Sequence, residues 1–250
     1  MILPGIHAYI SIILKNKLPY KKWFFPAFLF GSILPDIDYL LSNLHQFIIV
    51  PNSISFLNAT FAHSIFSVVV LYLLLLITYE WKKKNEYLNI ANGILLGMML
   101  HIAIDLLIFN NTIHLFWPLP IYSIQLWKID FFKNNFNIII IIIDFLFLRI
   151  FASFAIKSIL EYPNKNSYFI KHLSIWTKIL LYLVIALTIS YYLASIAFTQ
   201  ILYYIIHTSC LFMMLYVIYI LADSIDYVKK NIKKVEAEDY NRTNSTINID

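Results

Sequence analysis

The sequence predicts an all-α membrane protein, a polytopic bundle of about six transmembrane helices preceded by a short apolar segment. Hydrophobic residues make up 60% of the 250 residues and charged residues only 13%, about half the usual charged fraction of a soluble domain. Apolar runs long enough to cross a bilayer recur along the chain. Lysine clusters alternate with segments that are nearly free of basic residues, as in loops on opposite sides of a membrane.

Each predicted transmembrane helix corresponds to one apolar run. The predicted spans are residues 23–41, 59–79, 88–109, 136–156, 175–197 and 200–222. Pro26, Gly31 and Pro35 interrupt the first of them. Residues 1–14 are also apolar but too short to span comfortably, which predicts a partly inserted segment.

The placement of the lysines predicts the topology. Basic clusters occur in residues 15–22, 82–84, 157–171 and 229–234, whereas residues 42–58 contain no Lys or Arg. The positive-inside rule therefore places these clusters and the C-terminus in the cytoplasm. Topology accounts for the net charge of +5, so no nucleic-acid partner is expected. Membrane lipids are the predicted surroundings, and the sequence indicates no particular protein partner.

The chain divides into three predicted regions. Residues 1–135 contain all four glycines and the His and Asp residues that are candidate metal ligands. They are predicted to form the functional half. Residues 136–222 are rich in Ile, Leu, Tyr and Phe and are predicted to be the remainder of the bundle. Residues 223–250 are polar and charged and are predicted to be a cytoplasmic tail.

His101 and Asp105 are the strongest candidate ligands. They are four residues apart in an apolar run, so a helix places both side chains on one face, where they can bind one metal ion. Ionisable groups in a membrane helix are costly, and their usual explanation is a functional site. A His–Asp hydrogen bond between helices, without metal, is the alternative. Gly93 and Gly97 precede them at the same spacing and would let a neighbouring helix approach closely.

Asp36 and Asp38 are candidates of a different kind. On a regular helix their side chains would point about 200° apart. Only a broken backbone turns both toward one site, and Gly31 and Pro35 make such a break possible. Pro35 could instead begin a new helix, with both carboxylates stabilised by its dipole. Both interpretations remain open at this point.

His63 and His7 are weak candidates individually, because a lone histidine near a helix end is often only an interfacial polar residue. Their predicted depth in the membrane makes the candidates more convincing together than singly. The predicted helix ends place Asp36, His63, His101 and Asp105 within about 12 Å of the outer membrane surface. Histidine and aspartate are together a ligand set for divalent metals.

Polar residues in the predicted spans of the second half are interpreted as structural. Asp144 and Arg149 lie in one predicted span, five residues apart, and a structural ion pair between them or with other helices is the favoured interpretation. His207 is predicted to be a hydrogen-bonded histidine inside the bundle. Cys210 is alone, so no internal disulfide is possible.

The order of these motifs resembles that of the bacterial membrane-bound metal-dependent hydrolases, a group that includes an inner-membrane hydrolase-type protein described as LexA-binding. The resemblance covers about residues 1–120. It rests on His7, Gly31 with Pro35-Asp36-Ile37-Asp38, His63-Ser64, His101 with Asp105, and Trp117-Pro118-Leu119. The family commonly has a His-Arg pair where this chain has Asn58 and Ala59. That departure makes a metal site a firmer prediction than catalysis.

The resemblance implies a multi-pass hydrolase of the bacterial plasma membrane. His7, Asp36, His63, His101 and Asp105 would hold a divalent metal, most simply zinc, and Asp38 would act as general base or orient a ligand imidazole. A more distant similarity in ligand order to zinc-dependent phospholipase C, an all-α enzyme, implies an ester or phosphoester substrate. The depth of the site favours a lipid or another amphiphile. The alternatives are a metal or proton transporter that uses the same residues, and a catalytically inactive structural or regulatory membrane protein.

Overall fold

The fold is a bundle of helices, and every regular element in the described residues is helical. A computed structural model describes residues 4–37, 61–108, 114–119, 136–160, 167–193, 202–203 and 205–220. The helices are α1 (Pro4–Leu14), α2 (Phe24–Gly31), α3 (Ile65–Lys82), α4 (Asn85–Ile108), α5 (Phe136–Leu160), α6 (Ser167–Leu193) and α7 (Ile205–Ile220). The predicted all-α membrane bundle is therefore confirmed.

Three of the described helices contain segments long and apolar enough to cross a membrane. These segments are Ile65–Lys82, Asn85–Leu107 and Ile170–Leu193, in α3, α4 and α6. On α3 the side chains of Leu73, Leu74 and Ile77 are exposed, as expected of a helix that faces lipid. With 25 residues, α5 is about 37 Å long and coincides with the predicted span at 136–156.

The predicted span at 23–41 is interrupted within the described residues, at the Gly31 and Pro35 positions that the sequence indicates. α2 has only eight residues and ends at Gly31, and a 3-10 turn follows at Leu34–Asp36. Pro35 stands at the start of that turn, where its missing N–H costs no helical hydrogen bond. At about 12 Å, α2 crosses less than half of a ~30 Å hydrocarbon core. The turn leaves Asp36 deep inside the protein, with 1% of its surface exposed.

Two glycines of α4 allow α2 to pack directly against it. A Cβ atom on Gly93 would lie 2.6 Å from the carbonyl oxygen of Phe24, and one on Gly97 would overlap the backbone of Phe28 and Ser32. No side chain fits between the two backbones at these positions. The predicted role of this glycine stripe is therefore confirmed, and it brings the end of α2 to the level of His101.

The remaining helices form the main core. α1 packs against α5, and α5 packs against α6. Large buried side chains of the core come from α5, α6 and α7, among them Leu148, Phe151, Leu180, Leu187 and Met214. Ala8, Leu29 and Ile33 belong to the same cluster, so the N-terminal segments are packed onto the C-terminal half.

Candidate metal centre

Five buried His and Asp side chains from separate parts of the chain meet in the bundle. α1 contributes one, the turn after α2 a second, the loop before α3 a third, and α4 two. They are His7, Asp36, His63, His101 and Asp105, none of them more than 4% exposed. Potential ligand atoms of His7, His101 and Asp105 lie within 4.8 Å of one another, and so do those of Asp36, His63 and His101. These are the five residues that the sequence predicts as metal ligands.

Asp105 lies at the centre of the cluster, and its two carboxylate oxygens face different histidines. Oδ1 is 3.2 Å from Nε2 of His7. Oδ2 is 3.4 Å from Nε2 of His63 and 3.5 Å from Nε2 of His101. One carboxylate thus joins three imidazoles, each through its Nε2 atom.

A backbone hydrogen bond fixes the orientation of His101. Its Nδ1–H donates to the carbonyl oxygen of Ser32, at 2.8 Å. Because Nδ1 carries this hydrogen, the neutral imidazole has its lone pair on Nε2, the atom that faces Asp105. A hydrogen bond of this kind, from the far nitrogen of a histidine to a carbonyl, is typical of metal-binding histidines.

His63, His101 and Asp105 present three ligand atoms at the spacing of a zinc site. The Nε2 atoms of His63 and His101 are 3.2 Å apart, and the Asp105 Oδ2 atom completes a triangle with sides of 3.4 and 3.5 Å. Zinc bonds of 2.0–2.1 Å in tetrahedral geometry separate two ligand atoms by about 3.3–3.4 Å. The residues present therefore fit one face of a tetrahedral metal site.

Asp36 lies at the edge of this triangle. Its Oδ1 atom is 4.0 Å from Nε2 of His101, farther than the other three ligand atoms are from each other. The 3-10 turn that carries Asp36 is held by a hydrogen bond from the Asp36 N–H to the Ile33 carbonyl, at 3.0 Å. Asp36 is thus a more distant candidate ligand on the side of α2.

The loop before α3 positions His63. Ser64 is the N-cap of α3, and its hydroxyl accepts a hydrogen bond from the Ser67 N–H at 3.1 Å. The backbone N–H of Ile65, the residue after this N-cap, donates to the carbonyl of Leu115 at 2.9 Å. On the same side, Phe61 packs edge-on against Trp117, with ring centroids 5.3 Å apart. His63 is therefore fixed between a helix cap and the segment at 114–119.

Comparison with known proteins places the chain in a family. The pattern of the YdjM inner membrane protein family matches residues 2–202, which include every residue of the cluster. The chain belongs to the YdjM inner membrane protein family. Neither a curated protein nor a solved structure gives a significant match.

Membership of the YdjM family agrees with the apolar helices. Together they indicate a protein of the bacterial inner membrane. The expected resemblance to a bacterial inner-membrane family is confirmed to that extent, and the hydrolase activity and metal dependence that it implied stay predictions.

Some predicted positions differ from the structure or lie outside it. His63 does not stand inside the span predicted at 59–79, because the Ser64 cap delays the start of α3 to Ile65. Asp38, the predicted general base, lies outside the described residues, as do Asn58 and Ala59. His114 is exposed.

Asp144 does not form the expected ion pair with Arg149. Arg149 is exposed, whereas Asp144 is buried, since five residues on a helix place the two side chains on different faces. Instead, Asp144 Oδ1 accepts a hydrogen bond from the backbone N–H of Ile6, at 3.0 Å. An aspartate of α5 thereby holds the first turn of α1, next to His7.

The hydrogen bond predicted for His207 is not found among the described residues. His207 is buried, but neither ring nitrogen has a hydrogen-bond partner among the described residues. Its ring packs against Phe145 and Tyr203 instead, with centroids 6.1 and 5.2 Å away.

Two serines that sequence reasoning missed connect the segments around the cluster. Ser11 Oγ lies 2.8 Å from the carbonyl oxygen of His7 and 2.9 Å from Ser32 Oγ. Ser32 Oγ in turn lies 2.9 Å from the Leu29 carbonyl. Both serines are fully buried. The only signal in the sequence is that each stands in an apolar run, which is too common for serine to be diagnostic.

Proposed function

We propose that this protein is a membrane-embedded metal-dependent hydrolase that acts on an ester or phosphoester of a lipid or another amphiphile. The main support is the triangle formed by His63, His101 and Asp105, whose sides of 3.2–3.5 Å match tetrahedral metal coordination. His7 and Asp36 extend the ligand set on either side. A bound divalent ion would polarise the scissile bond and make water a stronger nucleophile near neutral pH.

Residues of the protein would bind the metal ion and orient its ligands. Asp105 supplies negative charge against three imidazoles, and the Ser32 carbonyl keeps the lone pair of His101 directed at the site. Burial of all five side chains keeps bulk water away, which strengthens each electrostatic interaction there. Asp38, two residues after Asp36, is the proposed general base.

The position of the cluster supports an amphiphilic substrate. His101 and Asp105 lie seven and three residues before the end of α4, about 10 and 5 Å along its axis. At the same end of the bundle, Phe61 and Phe116 are partly exposed, each at 42%. An apolar rim beside a polar centre, near a membrane surface, suits a molecule with an acyl chain and a polar head.

The proposed orientation is a multi-pass topology with the site toward the outer leaflet and the C-terminus in the cytoplasm. At the opposite end of α4, Lys22 pairs with Glu86 at 2.7 Å. Lys82 is the last residue of α3, and Lys83 and Lys84 follow it. The positive-inside rule favours the cytoplasm for this lysine-rich end. Reporter fusions after residues 84 and 112 should report opposite sides of the membrane.

Metal analysis of the purified full-length protein tests the proposed function. Folded wild-type protein in detergent should retain zinc through gel filtration, and the His101→Ala variant should lose it. His207→Ala, which removes another buried histidine, is the matched control and should retain the wild-type content. Chromogenic phosphomonoester, phosphodiester and carboxylic ester substrates should then identify the bond that is cleaved.

Folded wild-type protein that binds no metal would overturn the proposal. In that case the cluster is a hydrogen-bonded contact that holds α1, α2 and α4 together, as in the structural alternative. Metal-dependent ion flux into liposomes without hydrolysis would favour a transporter.

A further inference from the structure

The rings of His7 and His101 are arranged so that both cannot bind the same metal ion. They are stacked, with centroids 3.8 Å apart and planes inclined by only 20°. The lone pair of an imidazole nitrogen lies in the plane of its ring, so a shared ion must lie in both planes. Planes at this separation and inclination meet roughly 10 Å away, whereas a metal lies about 2 Å from its nitrogen ligand.

His63 and His101 have the opposite relationship. Their planes are inclined by 67°, and their Nε2 atoms are 3.2 Å apart. Two crossed rings with adjacent nitrogens can direct both lone pairs at one point. The ring planes therefore allow His101 to share an ion with His63 but not with His7, although all three histidines approach the same carboxylate.

From these contacts we infer that the site holds two divalent ions bridged by the carboxylate of Asp105. One ion would be held by His63, His101 and Asp105 Oδ2, with Asp36 as a more distant candidate ligand. The second is held by His7 and Asp105 Oδ1, which are 3.2 Å apart. The two stacked rings lie 3.8 Å apart, and their Nε2 atoms face different oxygens of the same carboxylate; ions in two-metal sites lie about 3.5–4 Å apart.

The inference rests on the proposed function and narrows its substrate class. Two divalent ions carry four positive charges, whereas Asp36, Asp105 and the proposed general base Asp38 supply at most three negative charges. The described residues add no other carboxylate to the cluster. A buried site with excess positive charge favours an anionic group, so a phosphoester fits this centre better than a neutral carboxylic ester.

Metal stoichiometry and magnetic coupling test the inference in the full-length protein in detergent. Zinc-loaded wild type should contain two ions per chain, His7→Ala one, and the His207→Ala control two. Wild type loaded with Mn²⁺ should give the electron paramagnetic resonance spectrum of an exchange-coupled pair. This measurement needs no variant and therefore decides the question even if His7→Ala does not fold.

The outcomes separate the inference from the proposed function. One ion per chain in wild type, with an uncoupled Mn²⁺ spectrum, would overturn the two-ion centre and leave a mononuclear hydrolase intact. No ion in folded wild type would overturn both.

Discussion

His101 donates its Nδ1–H to the backbone carbonyl of Ser32, at 2.8 Å, across the interface between α4 and the end of α2. The carbonyl is available because α2 ends at Gly31 and the backbone there no longer continues as a regular helix. The direction of the His101 lone pair is thus set by the packing of two helices.

Widening this interface should weaken metal binding. In Gly97→Ala the new Cβ overlaps the backbone of Phe28 and Ser32 and must push α2 away from α4. Loss of an outer partner of a ligating histidine typically lowers metal affinity 10–100-fold, and overpacking costs about 1–3 kcal/mol of stability. Zinc titration and thermal unfolding measure the two effects. Met99→Ala, an exposed position on the same helix, should change neither.

Asp105→Asn should abolish the stabilisation that metal confers. Zinc at 100 times its Kd should stabilise wild type by about 2.7 kcal/mol, because ligand binds only the folded state. Asparagine keeps the shape of the side chain but removes the charge that faces three imidazoles. Unfolding of the variant should therefore be insensitive to added zinc. Equal zinc stabilisation in both proteins would show that Asp105 is not a ligand.

Ser11→Ala should loosen the connection between α1 and α2. The variant removes a hydroxyl that contacts the His7 carbonyl and Ser32 Oγ. Loss of a buried hydrogen bond of this kind costs about 1 kcal/mol. Chemical unfolding of the metal-free protein measures it, with Ser153→Ala as control, since the Ser153 hydroxyl donates to the Arg149 carbonyl of its own helix on an exposed face. No difference between the two variants would contradict this role.

Asp144 should be replaceable by asparagine but not by leucine. Asn retains an oxygen that accepts from the Ile6 N–H, whereas Leu leaves that buried N–H without its acceptor. An unsatisfied buried donor costs about 1–3 kcal/mol. Asp144→Leu should therefore unfold at lower temperature and bind metal more weakly through displacement of His7. Equal stability of the Asn and Leu variants would show that the contact is unimportant.

The sequence indicates the parts of the site that depend on local geometry. The spacing of His101 and Asp105 predicts a shared face, and in the structure Nε2 and Oδ2 are 3.5 Å apart. Gly31 and Pro35 make possible the break after α2, although the sequence leaves open whether Pro35 instead begins a new helix. Gly93 and Gly97 predict the close approach of a neighbouring helix, although not which helix it is.

Features that depend on contacts between distant segments could not be predicted. The start of α3 depends on whether Ser64 caps the helix, and an apolar run does not show this. The partner of Asp144 is a backbone N–H of α1, which no side-chain pattern indicates. Likewise, the stacking of His7 on His101 is set by how α1 lies in the bundle.

The candidate ligands come from distant parts of the chain, so the ribosome synthesises them at different times. His7 and Asp105 are 98 residues apart in the chain, and a ribosome that adds about 5–20 residues per second separates them by roughly 5–20 s. During that interval His7 and Asp36 enter the membrane without the carboxylate and imidazoles that later surround them. The His and Asp cluster is therefore complete only when α4 arrives, and α1 meets its main packing partner, α5, later still.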